Sequence, residues 1–241
     1  HNAQIHYLLP HGLEQYGGAA WGTRDICQGP IEMLLAMGRF DVVRNILCTV
    51  FSHQNPNGNW PQWWMFDRYH TIRAPESHGD VVFWPILAAC EYVDSSGDRA
   101  FLDERLPFYA ENRTQTVLEH LLRAFHFVQS KRRAAATSLV DYSDGDWNDA
   151  LQPISPSLKK KLISSWTVEL SYQAAEAFAR LCCAAGLADH AETMQQWSRS
   201  IREDFQKYLI SNSVVSGFGI MQDDNTIDRL IHPSSQQIEA R

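Results

Sequence analysis

Apolar residues recur at steps of three and four through most of this chain, and that period constrains the fold more than any other feature. Pro30 opens one helix that carries Ile31, Leu34, Leu35 and Met37, proline being well suited to a first helical position. Asp41 reads as the N-cap of a second helix with Val42, Val43, Ile46, Leu47, Val50 and Phe51. A third helix is expected over Asp80 to Val93, apolar nearly all round and therefore buried. A fourth runs from Thr114 to Ser130, a fifth from Ser165 to Ala185 and a sixth from Asp189 to Leu209. Only Ser213 to Met221, rich in Val, Gly and Phe, reads as a short β-hairpin. The fold class that follows is all-α, built of paired antiparallel helices.

Two stretches, Ser52 to Gly79 and Ala134 to Lys159, lack the period and are dense in Trp, Asp and His. Long loops within a compact domain tend to be functional. Gathered at one end of a helical scaffold, these two would line a pocket.

The chain's 241 residues suffice for one substantial domain. With 44% hydrophobic and 20% charged residues it is globular rather than disordered. A formal charge of −7 argues against unspecific binding to nucleic acid or an anionic membrane, because phosphates would be repelled. It leaves room for a small anionic substrate held by a local Arg cluster. Cys27, Cys48, Cys90, Cys182 and Cys183 are odd in number and match no zinc spacing, so reduced thiols and a cytoplasmic location are expected. No signal-peptide pattern or membrane-length apolar run is visible. The chain starts at His1 and ends in a polar run from Ser234 to Arg241, and both ends read as cuts. The expectation is a single domain over 1–241, truncated at both ends.

The densest chemistry lies in Asp144-Gly145-Asp146-Trp147-Asn148-Asp149. Gly145 permits an unusual backbone angle. A carboxyl beside an aromatic ring can be desolvated and kept protonated for donation. The plain alternative is an Asp-rich turn; an EF-hand is excluded by spacing and by the missing closing Glu. A second block, Tyr16 to Asp25, has glycines that let the backbone approach a ligand, and it ends in Arg24 and Asp25, a donor fork beside an acceptor. A turn fixed by an Arg–Asp pair is the alternative there. The third block, Asn59 to Trp64, offers Trp60, Trp63 and Trp64 for stacking on sugar rings, with at least one of them expected to serve packing alone. Arg73, Glu76, His78 and Asp80 crowd the loop before the buried helix, where Asp80 could equally be an N-cap. The histidines show no metal spacing, and no nucleophile-elbow sequence is present.

Taken in order, "YGGAAWGTRD" (16–25), "QWW" (62–64), "HGDVVFWP" (78–85) and "GDWNDALQP" (145–153) resemble the blocks of glycoside hydrolase family 94, the cellobiose-type phosphorylases. "LPHGLEQYGGAAWGTRDICQGP" (9–30) and "SSWTVELSYQ" (164–173) are most similar to its 1,2-β-oligoglucan phosphorylase branch. The resemblance implies part of an (α/α)6 barrel and an inverting reaction. By that match Asp149 is the general acid and Trp147 walls the donor-sugar subsite. Arg24 and Asp25 hold the donor glucosyl unit, and Trp64, Arg73, Asp80 and Asp146 lie at the same pocket. No metal or cofactor is implied; inorganic phosphate is the co-substrate and a β-glucan oligosaccharide the partner. Gln28-Gly29-Pro30 and Gly79-Asp80 stand where cellobiose-type members often carry acids, so cellobiose is not the expected substrate.

An inverting hydrolase needs two carboxylates, whereas a phosphorylase needs only the donor because phosphate is already a nucleophile. Two rivals follow: an inverting glucan hydrolase using a second acid such as Glu169 or one beyond Arg241, and a non-catalytic carbohydrate-binding or structural helical domain. A partial barrel would bare apolar helix faces, which predicts self-association, for instance as a homodimer.

Overall fold

The computed structural model describes residues 20–148 and 155–235. By internal contacts the chain divides into a first unit of His1–Ser77 with Val81–Phe127, and a second of His78–Asp80 with Val128–Arg241.

The described part of the first unit opens with strand β1 (Ala20–Gly22), short helix α1 (Thr23–Cys27), α2 (Gly29–Ala36) and α3 (Phe40–Ser52). Strands β2 (Trp63–Met65) and β3 (Arg73–Ala74) follow, then α4 (Phe83–Ser96), β4 (Arg105–Pro107), β5 (Thr114–Thr116) and α5 (Val117–Lys131), whose residues from Val128 on count with the second unit. Its core is aromatic: Phe51, Trp60, Phe83 and Phe101 are wholly buried. The Trp60 indole donates to Val50 O at 2.9 Å, which satisfies the one polar atom that burial would otherwise strand.

The second unit holds α6 (Pro156–Lys161), β6 (Leu162–Ser164), α7 (Ser165–Ala184) and α8 (Ala188–Asp204). Beyond them come β7 (Ile210–Ser211), β8 (Val214–Val215), β9 (Phe218–Met221) and β10 (Ile227–Leu230). Helices α7 and α8 pack along one another, burying Val168, Ala174, Phe178 and Cys182 against Met194, Trp197 and Ile201. Among the described residues no helix is long and apolar enough to cross a membrane.

The helical expectations hold, with corrected ends. Thr116 and Glu119 form a reciprocal cap: the Glu119 carboxylate accepts from Thr116 N at 2.7 Å, and Thr116 Oγ1 accepts from Glu119 N at 3.1 Å. That cap starts α5 at Val117 and leaves Thr114–Thr116 to a strand. Asp41 is not an N-cap, since α3 already begins at Phe40 and places Asp41 in its first turn. Asp80 is no cap either: α4 starts at Phe83 after Val82. Helix α8 stops at Asp204, and a π-helical turn covers Phe205–Leu209.

The larger correction concerns strands. The described residues contain four small sheets rather than one hairpin: β1-β2-β3, β10-β9-β6, β4-β5 and β7-β8. The fold is therefore mainly helical and not purely so. Strands of two to four residues are too short to show a period of two in sequence, and so they escape a reading based on periodicity.

Candidate functional site

The blocks singled out in the sequence fall into both units. In the first, strands β1, β2 and β3 bring distant segments into register, with Trp21 opposite Trp64 and Trp64 opposite Arg73. Residues directly opposite in neighbouring strands share one face of the sheet. The Trp21 and Trp64 rings accordingly lie nearly parallel, with centroids 5.8 Å apart. His53, at the end of α3, stacks on Trp64 at 4.3 Å. Trp64 is left 1% exposed, so in this structure it builds the floor of the sheet and offers no open ring to a sugar. Trp60 is wholly buried too, and Trp63 is the half-buried member of the three.

Helix α1 leaves this sheet directly. Thr23 anchors the turn, its amide donating to Gln62 O at 3.0 Å and its hydroxyl to Pro61 O at 2.6 Å. Arg24 is buried at 7% exposure and Asp25 is half-buried. Residues 16–19 of the Gly-rich block lie outside the described residues.

Arg73 faces a distinct environment. Its guanidinium lies 3.7 Å from the centre of the Tyr109 ring, and Nη2 donates to Asn55 Oδ1 at 2.5 Å. Asn55 is oriented for this, because its Nδ2 donates to Pro75 O at 3.2 Å. Arg73 Nε and Nη1 are buried and have no acceptor among the described residues. Burial accordingly lowers the Arg73 pKa from its ordinary value. His53 is held neutral, pushed down to about 4 first by burial, against the pull of its Thr49 carbonyl bond, with the Arg73 charge adding to the depression. Its Nδ1 pairs with Thr49 O at 2.9 Å; a carbonyl only accepts, so Nδ1 carries the hydrogen. His53, Asn55 and Tyr109 were not singled out in the sequence. His53 and Asn55 lie two residues apart and Tyr109 far along the chain, so nothing in their spacing announces a cluster.

In the second unit, the loop that leads to Asp149 is fastened at its foot. Gly145 takes φ 151°, a region essentially restricted to glycine. The Asp146 carboxylate is 1% exposed. Its Oδ1 accepts from Asn148 N at 3.0 Å and from the Tyr142 hydroxyl at 3.4 Å. Its Oδ2 accepts from Ser164 Oγ at 2.7 Å and Thr167 Oγ1 at 3.4 Å. Ser164 is the N-cap of α7 and Thr167 lies in its first turn, where helix amides favour a negative charge. Burial and then the neighbouring Asp146 carboxylate raise the Tyr142 phenol above its ordinary pKa, so it remains a donor.

The His78–Asp80 segment pins the same loop from outside. Gly79 N donates to Gly145 O at 2.7 Å, and His78 Nδ1 meets Asp146 O at 3.1 Å. Arg132 closes the arrangement with Nη1 to Gly79 O at 3.3 Å and Nε to Asp141 Oδ1 at 2.6 Å. A Cβ on Gly79 would come within 2.5 Å of Arg132 Nη2 and 2.6 Å of Tyr142 O, so only glycine lets the segment approach this closely. Asp80 is wholly buried. Trp147 is the opposite case, 58% exposed with Trp166 at 6.2 Å. Asp149 itself lies outside the described residues. Glu169, the second acid of the hydrolase alternative, is exposed on α7 and lines a cleft of about 290 Å³ with Val168, Tyr172, Ile201 and Phe205.

Of the expected ligand contacts, then, Trp64, Asp80 and Asp146 are enclosed in this structure, Arg24 nearly so, and Asp25, Arg73 and Trp147 retain accessible surface.

Residues 17–227 match the family model described as "Glycosyl hydrolase 94 superfamily, catalytic domain". The chain is 42% identical over 98% of its length to the 1,2-beta-oligoglucan phosphorylase of Listeria innocua, of which it covers 22%. It is 36% identical, over 44% of its length and 13% of the relative's, to the solabiose phosphorylase of Paenibacillus borealis. A crystal structure of a sugar epimerase from a ruminal bacterium shares the fold: TM-score 0.54 and 10% identity, over 87% of this chain and 50% of the other. The chain spans about a fifth of the length of the Listeria relative, 22%.

Proposed function

Since the chain belongs to the glycosyl hydrolase 94 superfamily, we propose that it is part of an inverting glycoside phosphorylase that cleaves β-1,2-linked oligoglucan with phosphate and releases α-glucose 1-phosphate. The 42% identity to a 1,2-beta-oligoglucan phosphorylase across 98% of the chain carries this reading. The same reading makes the chain a portion of one (α/α)6-barrel catalytic domain, with the small sheets as elaborations of its loops.

In this scheme Asp149 is the general acid. Its carboxyl proton passes to the glycosidic oxygen as the C1–O bond breaks. A phosphate oxygen bonds to C1 from the opposite face, which inverts the anomeric centre. The Asp149 carboxylate then regains a proton before the next turnover. Phosphate brings its own negative charge to the attack, so no second carboxylate is required. Positioning phosphate in line with C1 supplies much of the acceleration.

Arg24 and Asp25 hold hydroxyls of the donor glucosyl unit, and Trp147, exposed beside the acid, stacks on its ring. Asp146, Asp80 and Trp64 serve within their own units: Asp146 sets the path of the loop into Asp149, Asp80 belongs to the segment that pins that loop, and Trp64 backs the strand that pairs with Arg73. The burial of these three supports a positioning role over direct contact.

The test is to incubate the intact protein with β-1,2-, β-1,3- and β-1,4-glucans, with and without phosphate, and to identify the released sugar. α-Glucose 1-phosphate is expected from the β-1,2-glucan and only when phosphate is present. Free glucose formed without phosphate would make the protein a hydrolase.

A further inference from the structure

We propose that a polar cleft along α8, in the second unit, is a second carbohydrate site that takes a stretch of neutral glucan away from the loop that leads to Asp149. The naming of glucan rests on the phosphorylase reading; the preference for an uncharged, hydroxyl-rich ligand rests on the cleft alone.

The cleft has a volume of about 730 Å³, and every residue lining it belongs to the second unit. It follows α8 from Asp189 to Ser200, about 16 Å at the usual helical rise, which is too long for one sugar ring. Its Asp189 end is remote from the site described above. Ser164, which donates to the Asp146 carboxylate, caps the start of α7. Asp189 follows the other end of that 20-residue helix, about 30 Å away.

The groups on its walls select the ligand. Arg133, Asp189 and Glu192 are all exposed and line the same cleft, yet no ion pair joins them. Arg133 is tied down by Nε, which donates to Thr137 O at 2.6 Å, and its Nη groups remain for another acceptor. The Gln129 amide and the Glu192 carboxylate have no side-chain partner among the described residues. A guanidinium only donates and a carboxylate only accepts, whereas a sugar hydroxyl does both, so a run of hydroxyls can satisfy all of these at once. An anion would meet two carboxylates against one guanidinium, and a cation would meet the guanidinium. Trp197 and Ser138, each 8% exposed, form the floor and offer ring carbons and a hydroxyl to a sugar face. Asp, Glu and Ser are depleted in protein–protein interfaces, so glucan fits these walls better than a protein partner does.

The experiment is calorimetric titration of the intact protein, free of phosphate, with β-1,2-glucan oligosaccharides of increasing length, followed by phosphorolysis kinetics on the same series. Unaltered protein is compared with the double variant Gln129→Ala/Glu192→Ala, whose two side chains have no internal bond to lose. Glu192→Lys, which crowds the cleft from an exposed position, keeps the test valid should the double variant fail to fold. The double variant is expected to bind long oligosaccharides about fivefold or more weakly and to raise their KM in step, with kcat unchanged. The shortest oligosaccharide that is cleaved should keep both its affinity and its KM. Equal affinities for long chains across the proteins overturn the proposal. So does an equal loss for the shortest substrate, which would place the effect in the catalytic pocket. Cleft-dependent glucan binding in a protein that cleaves no glucan would keep the second site and remove the phosphorylase reading. Phosphorolysis with long-chain affinity and KM indifferent to both variants would do the reverse.

Discussion

Arg73 in the first unit and Asp146 in the second are both charged groups drawn out of water, yet the protein treats them in opposite ways. Asp146 has both oxygens occupied by the protein's own donors: a backbone amide, two side-chain hydroxyls at the start of α7 and a phenol. Arg73 has the Asn55 amide oxygen and Tyr109 beside it, both neutral, and two buried donors with no acceptor among the described residues. A charge satisfied by its own protein fixes a conformation, whereas a charge left short of partners adds little to stability. The contrast separates a charge that anchors its loop from one that does not, a distinction that residue type alone does not make.

Substitutions put this contrast under strain in a definite order. Asp146→Ala should have the largest effect on stability, because it orphans four donors that are buried or half-buried. A loss of about 3–5 kcal/mol is expected in denaturant unfolding of the intact protein, and a loss under 1 kcal/mol would show that the carboxylate is no anchor. Gly79→Ala comes next. Its added methyl would press on Arg132 and the Tyr142 carbonyl, and about 1–3 kcal/mol should be lost. A fully stable Gly79→Ala variant would mean that the His78–Asp80 segment does not pin the loop. The smallest effect belongs to Arg73→Gln, within about 1 kcal/mol in either direction when no ligand is present, since the native cation is poorly compensated already. If that variant unfolded as readily as Asp146→Ala, the two charges would be alike and the comparison would fail.

How far the sequence could be read follows the same physical line. Long helices were legible because α5, α7 and α8 repeat their apolar stripe over several turns. Sheet β1-β2-β3 was not, because its strands are two or three residues each and β1 pairs with a segment far along the chain. The loop from Asp144 to Asp149 could be picked out because its carboxylates, glycine and tryptophan are adjacent in sequence. What each of them does could not: Asp146 and Trp147 are neighbours, yet one is 1% and the other 58% exposed. Burial is decided by Ser164 and Thr167 reaching the carboxylate from α7, and no local pattern around Asp146 reports them. Trp64 looked like a sugar platform for the same reason, since its cover by His53 and Trp21 exists only after folding.

The central claim is that Asp149 delivers the proton in a phosphate-dependent cleavage. Its most direct test is steady-state phosphorolysis of β-1,2-oligoglucan by the intact protein against its Asp149→Asn variant, at saturating phosphate. Turnover should fall by about 100-fold or more with the oligosaccharide KM little changed, as expected when a general acid is removed. Near-normal turnover in the variant would contradict the account.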